Sequence, residues 1–182
     1  KLDPQTGTVI PPRHSSTPRH AKDYGNWYLL SSIATKLGLP EVLHQVFSDD
    51  ASVLLALAVF EISEAAPLYL FPQWVETTYI TDVPALSSSD LSRLTQRLGR
   101  MDVERDTFFQ RWIAHCSPVQ TMVFDITSLS SYSTLLHEVE WGYNRDHDPL
   151  PQVNLGMVYA EDTQRPLYYQ VYPGSIRDVS TL

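Results

Sequence analysis

The chain has 182 residues, 13 Lys and Arg against 21 Asp and Glu for a formal net charge of -8, and 43% hydrophobic residues. This is a globular composition that excludes disordered and collagen-like chains, and the length suits one full domain or a small domain with part of another. A single cysteine, Cys116, excludes a disulfide framework and a cysteine-rich zinc site, and the longest apolar run, Val53 to Phe60, falls well short of the ~20 residues of a membrane span. A soluble, intracellular protein with no membrane association is expected.

Net acidity argues on average against a nucleic-acid partner, because phosphate binding is driven by Lys and Arg. The charge is unevenly spread, however. Residues 1–23 carry four basic against two acidic residues, 24–116 six against eleven, and 117–182 three against eight. Only the first segment is basic. With Pro4, Pro11, Pro12 and Pro18 it holds no regular helix and reads as an extended, flexible arm.

From 24 to 116 the apolar residues fall at helical spacing. Trp27, Leu30, Ile33 and Leu37 mark a first helix that Gly38 stops. Pro40 opens a short second helix through Leu43 to Phe47. Asp49 and Asp50 are placed to cap the run Ser52 to Ala65, which Pro67 ends. The aromatic stretch Leu68 to Tyr79 is ambiguous. Ser88 or Ser89 caps Asp90 to Leu98, closed by Gly99, and Asp102 caps a helix reaching His115 with Phe108, Phe109 and Trp112 offered to the core. This segment therefore reads as a helical region of five or six helices.

At Ser117-Pro118 the period changes from 3.6 to 2. Val119 to Thr127, Gln152 to Ala160 and Leu167 to Tyr172 read as strands, the last two joined as an antiparallel hairpin by the turn residues Glu161 to Pro166. After Pro173-Gly174, Ser175 or Asp178 is placed to cap a further helix. The fold class is α/β, helices first and then a sheet that opens and is cut short. A three-stranded sheet without a covering layer leaves one face open and prone to aggregation.

Asp125 stands inside the apolar strand Phe124-Asp125-Ile126-Thr127-Ser128. An ionised carboxylate costs several kcal/mol to bury unpaired, so this one is paired, exposed at an edge, or bound to a cation. It is a metal ligand, or a strand-end Asp that caps a turn through Ser128. Other groups carry weaker chemistry. Asp146 and Asp148 alternate as in a calcium loop but lack its glycine and glutamate, and His137, Glu138 and Glu140 lack a second histidine at helical spacing. Cys116 beside His115 reads as a buried thiol at a helix end, and seven glycines make no phosphate loop. Arg93, Arg97 and Arg100, at i, i+4 and i+7, form one helical stripe that either contacts phosphates or is a solvated face with Asp90 as partner.

Read in order, Val123–Ser133 (VFDITSLSSYS), Trp141–Asp178 and the closing STL resemble the front of the catalytic domain of DDE transposases from bacterial insertion sequences. In that family a first-strand Asp followed by Thr-Ser leads to a Gly-Tyr-Ser-Lys-Asp-His type segment, then Gln-Val opening a strand, then a hairpin ending in Gly-Asn with an Asp a few residues on. This chain has Asp125, Thr127 and Ser128; Gly142 to His147; Gln152-Val153; and Gly174-Ser175 with Asp178. About a third of the chain is covered closely, and the helices over 91–112 are similar to the region before that domain far less specifically.

The resemblance implies an RNase H-like domain beginning at about 117 and incomplete here, with helices over 24–116 and the basic arm before them. It implies metal-dependent DNA cleavage and strand transfer in transposition, with Mg2+ or Mn2+ as cofactor, double-stranded DNA at transposon ends as partner, and the bacterial cytoplasm and nucleoid as location. Asp125 matches the first Asp of the catalytic and metal-binding triad, and Thr127 and Asp178 match supporting positions. Arg145 stands where the family usually has Lys, Ser175 where it has Asn, and Asp148 where a basic residue is common. The second Asp and the Glu of the triad would lie further along than Leu182. The implied protein is therefore a transposase fragment inactive by itself. The alternative is a non-catalytic remnant that binds DNA, associates with itself, or pairs with and inhibits a full-length transposase.

Overall fold

The computed structural model describes residues 21–143 and 149–176. Six helices come first: α1 (Gly25–Lys36), α2 (Leu39–Phe47), α3 (Ala51–Glu64), α4 (Phe71–Thr77), α5 (Ser88–Leu98) and α6 (Asp102–Cys116). Three strands follow, β1 (Met122–Ser130), β2 (Gln152–Ala160) and β3 (Arg165–Pro173), in one antiparallel sheet of order β1-β2-β3. The mixed α/β class, helices before sheet, is as expected. Among the described residues no single helix is long and apolar enough to cross a membrane.

The helix boundaries follow from local chemistry, with instructive exceptions. Gly38 takes a left-handed φ of 73°, closes α1 and starts α2. There is no room for a side chain, because a Cβ would run into the imidazole of His115. The ambiguous aromatic stretch forms α4, with Pro72 in its first turn and Phe71 and Val75 buried. The cap of α5 is Ser87, one residue before the expected serines: its Oγ accepts from the Asp90 N–H at 3.2 Å while Asp90 accepts from the Ser87 N–H at 3.0 Å. Asp102 is the first residue of α6 and caps nothing. Asp50 holds the cap position of α3 without a capping bond, because its carboxylate is taken by Arg97.

Two apolar clusters organise the packing. One joins α3, α4 and α5 through Val53, Ala56, Phe60, Phe71, Val75, Leu91 and Leu94. The other joins α2 and α6 to the sheet through Val42, Trp112, Cys116, Ala160 and Leu167. Helix α6 is the joint: the Trp112 indole N–H donates to the Pro166 carbonyl at 2.7 Å, and Phe109 meets Tyr168 and Tyr169 edge-on with ring centres 4.7 and 5.3 Å apart.

Pairing corrects the first strand. Expected over Val119 to Thr127, it runs from Met122↔Ala160 to Ser130↔Gln152, so its limits are set by β2. Val119 packs against the second cluster instead. Phe124, Ile126 and Ser128 share one face with Asn154, Gly156 and Val158; Val123, Asp125, Thr127 and Leu129 lie on the other.

Gly38→Ala is expected to cost about 2 kcal/mol, since it adds left-handed strain to a clash with His115; urea unfolding checks this. Ser87→Ala is expected to cost about 1 kcal/mol through the lost cap. The Ser87 hydrogen bonds, aided by Arg93, hold the Asp90 carboxyl below its ordinary value. A carboxylate lowered on folding stabilises above its ordinary pKa and loses that contribution as pH falls through the lowered value. Acid titration of unfolding is therefore expected to show a smaller acid-side loss in Ser87→Ala.

Candidate functional site

Asp125 sits in the middle of β1, opposite Met157, and its side chain is exposed. The carboxylate is exposed, on a strand that lies at the border of the sheet among the described residues. Its Oδ1 accepts from the N–H of the next residue, Ile126, at 3.0 Å. The turn-capping alternative through Ser128 is not what forms: Ser128 is still within the strand and donates to Asn154 Oδ1 at 3.0 Å. Thr127, two residues on, lies exposed on the same face as Asp125.

Among the described residues no three His, Cys, Asp or Glu side chains are grouped to hold a metal ion, at Asp125 or elsewhere. Magnesium needs near-octahedral oxygen ligands, with one or two carboxylates plus phosphates and water. One carboxylate with an oxygen already engaged by a backbone N–H does not make that set. His137 and Glu138 are exposed, and Glu140 accepts from the Ser175 hydroxyl. Asp146 and Asp148 lie outside the described residues, as do Arg145 and Asp178.

The expected arginine stripe is broken. Arg93 and Arg97 are on α5, whereas Arg100 is exposed in the turn beyond it. Arg93 pairs with Asp90 at 2.8 Å and Arg97 reaches both oxygens of Asp50 at 2.6 Å. The cleft beside them, about 470 Å³, is walled by Asp49, Asp50 and Asp90 as well. Arg100 has no ion pair among the described residues. The Arg93–Asp90 pair is solvent-exposed and the Asp50 carboxylate partly buried, and exposed pairs contribute about 0–1 kcal/mol.

Cys116 is buried in the second core cluster, 3.9 Å from an Arg165 nitrogen. His115, its neighbour in sequence, stacks on Trp112 and lies 2.9 Å from the Leu37 carbonyl, which occupies it structurally. The thiol is a core residue. A cleft of about 540 Å³ between α6 and the β2–β3 hairpin is lined by aromatic side chains such as Phe108, Phe109 and Tyr169, with no carboxylate, histidine or cysteine among the described residues that line it.

The most elaborate polar construction is at the end of the sheet where β2 begins. Gln152, 1% exposed, sends its amide nitrogen to the carbonyls of Tyr143 at 2.9 Å and Gly174 at 3.2 Å and to Asn154 Oδ1 at 3.3 Å. Asn154, also buried, donates to the carbonyls of Ile176 at 2.8 Å and Pro173 at 3.3 Å. Glu140 exchanges two backbone hydrogen bonds with Gln152, and the Gly174 N–H donates to Glu138. The backbones approach so closely that a Cβ on Gly142 would be driven into the Gly174 carbonyl, and a Cβ on Gly174 into those of Gln152 and Glu140. Three separated segments, Gly142-Tyr143, Gln152-Val153 and Gly174-Ser175, thus interlock in one place. Asn154 escaped the reading of the sequence, although a second amide two residues after Gln152 in an apolar strand was a usable sign of a buried polar pair.

Gly142→Ala and Gly174→Ala are each expected to cost about 2–3 kcal/mol in urea unfolding, because backbone, unlike a flexible side chain, cannot move aside. Comparison with family models, with curated proteins and with solved structures finds no match to this chain.

Proposed function

We propose that this chain is the front of a DDE transposase of a bacterial insertion sequence: a helical region joined to the opening strands of an RNase H-like catalytic domain. The observation that supports the reading is the interlocking of Gly142-Tyr143, Gln152 and Gly174-Ser175, which belong to three of the segments on which, with Asp125-Thr127-Ser128 and Asp178, the resemblance rests. A shared junction gives those residue types a common physical reason to occur together. The placement of Asp125 at mid-strand and exposed supports the same reading, since a carboxylate that meets a metal and DNA needs access to both.

Double-stranded DNA is the proposed partner, met through Arg93, Arg97 and Arg100 and the basic arm, with Arg145 as a further contact by resemblance. Mg2+ or Mn2+ is the cofactor of such a reaction, but Asp125 and Thr127 do not by themselves complete a site for it. The activity proposed for this chain is therefore binding without cleavage, in the bacterial cytoplasm at the nucleoid. Pairing with a full-length transposase follows the same logic, because a chain that binds DNA ends without cutting them competes with one that cuts.

A gel-shift titration on duplex DNA tests this. Binding is expected to weaken as salt rises, with a shallower salt dependence in Arg93→Ala/Arg97→Ala/Arg100→Ala. Asp125→Ala is expected to leave binding unchanged, and no nicking is expected in Mg2+ or Mn2+. Nicking lost in Asp125→Ala would overturn the non-catalytic part and keep the transposase; absence of DNA binding would overturn the reading as a whole.

A further inference from the structure

A cleft of about 290 Å³ opens in the helical region between α1, α2, α3 and the loop before α5. Its polar wall is formed by Trp27, Ser31 and Thr35 of α1, His44 of α2, Ser52 of α3 and Asp82 of the loop. Pro40, Leu55 and Val83 give it an apolar side. Trp27, Ser31 and Thr35 recur every four residues, so a single face of α1 supplies half of the polar wall. Every described residue that lines the cleft lies between 27 and 83, and none belongs to the sheet.

The hydrogen-bonding capacity left over in this wall is mostly that of acceptors. A hydroxyl carries a single proton. That of Ser31 goes to the Trp27 carbonyl and that of Thr35 to the Ser31 carbonyl at 2.9 Å, so towards the cleft both oxygens offer lone pairs only. The Asp82 carboxylate accepts as well, and it has no ion pair among the described residues. No Lys or Arg, Lys36 included, is among the described residues that line the cleft. Thr35 stands in the last turn of α1, where the helix end carries partial negative charge. The start of α3, a positive helix end, borders the cleft too, but its Ala51 N–H already donates to the Ser48 carbonyl.

We propose that this cleft binds a small organic cation, a primary ammonium or amidinium joined to a short apolar body. The N–H groups of the head have Asp82, Ser31 and Thr35 as acceptors, and the Trp27 indole adds the attraction of an aromatic ring for a cation. Pro40, Leu55 and Val83 receive the body. Ligand pockets run to about 300–1,000 Å³, and a cleft at the lower limit suits a free amine of few atoms. The inference rests on the helical region alone and not on the transposase reading.

Calorimetric titration of the 182-residue chain with benzylamine at about pH 8, where amines are charged and imidazoles largely neutral, tests this. A dissociation constant of about 10 µM–1 mM is expected for so small a ligand. Benzyl alcohol, similar in shape but uncharged, is expected to bind about tenfold more weakly or less. Asp82 is exposed, so Asp82→Asn leaves the fold intact and is expected to weaken benzylamine about tenfold. Asp162→Asn, which removes the same charge from the exposed hairpin turn, is expected to change nothing. In the unmodified protein the Trp27 indole N–H resonance is expected to shift during the titration, a readout free of mutation. No saturable binding, equal binding of benzyl alcohol, indifference to Asp82→Asn, or equal weakening by Asp162→Asn, the mark of net charge without a site, would each overturn the proposal. Tighter binding of Nα-acetyl-lysine methylamide than of benzylamine would overturn the free amine as the ligand.

Discussion

The structure hangs on the contact between α6 and the sheet. Trp112 is large enough to bury against both α2 and β3, and its indole N–H must find a partner when it does so. The Pro166 carbonyl supplies that partner at the turn into β3, which makes the contact directional as well as apolar. A three-stranded sheet by itself is poorly stable in water, because one layer cannot bury its apolar face. By covering Leu167 and Ala160, α6 gives the hairpin its core and couples it to the helices. Gly38 belongs to the same construction, since the space it leaves is filled by His115 of α6.

The opposite end of the sheet is held by a different means. There the packing is backbone against backbone, and the buried side chains are the amides Gln152 and Asn154. Buried amides demand partners, and four carbonyl groups converge to accept from them, those of Tyr143 and Gly174 from Gln152 and those of Pro173 and Ile176 from Asn154. Gln152 Oε1 is left without a partner. A network of this kind fixes geometry more sharply than apolar packing, because each bond has a direction and a lost partner is costly. The segment 138–143 is positioned by it relative to the strand that bears Asp125.

Charge behaves locally rather than globally in this chain. The -8 total describes the far field, yet each helical arginine of the α5 stripe has an acidic partner, Asp90 for Arg93 and Asp50 for Arg97, while Arg100 has no ion pair among the described residues. Asp125 is the mirror case. An acidic residue that looks expensive within an apolar strand costs little where it is exposed, with water and a backbone N–H to solvate it.

The helical region was legible because its signals are short-range. The spacing of Trp27, Leu30, Ile33 and Leu37, the stop at Gly38 and the leucines of α5 act within a turn or two, and the turn residues after Ala160 specify a hairpin in the same local way. Long-range pairing is a different matter. The limits of β1 came from its register with β2, and Asp50 gave up its cap to a residue 47 positions away. By itself the sequence determined the order of elements, the α/β class and the presence of an unusual carboxylate in the first strand. Only the tertiary structure decided that this carboxylate is exposed opposite Met157 and that Gly142, Gln152 and Gly174 meet, because those facts depend on which distant backbones come together, and no local propensity encodes that.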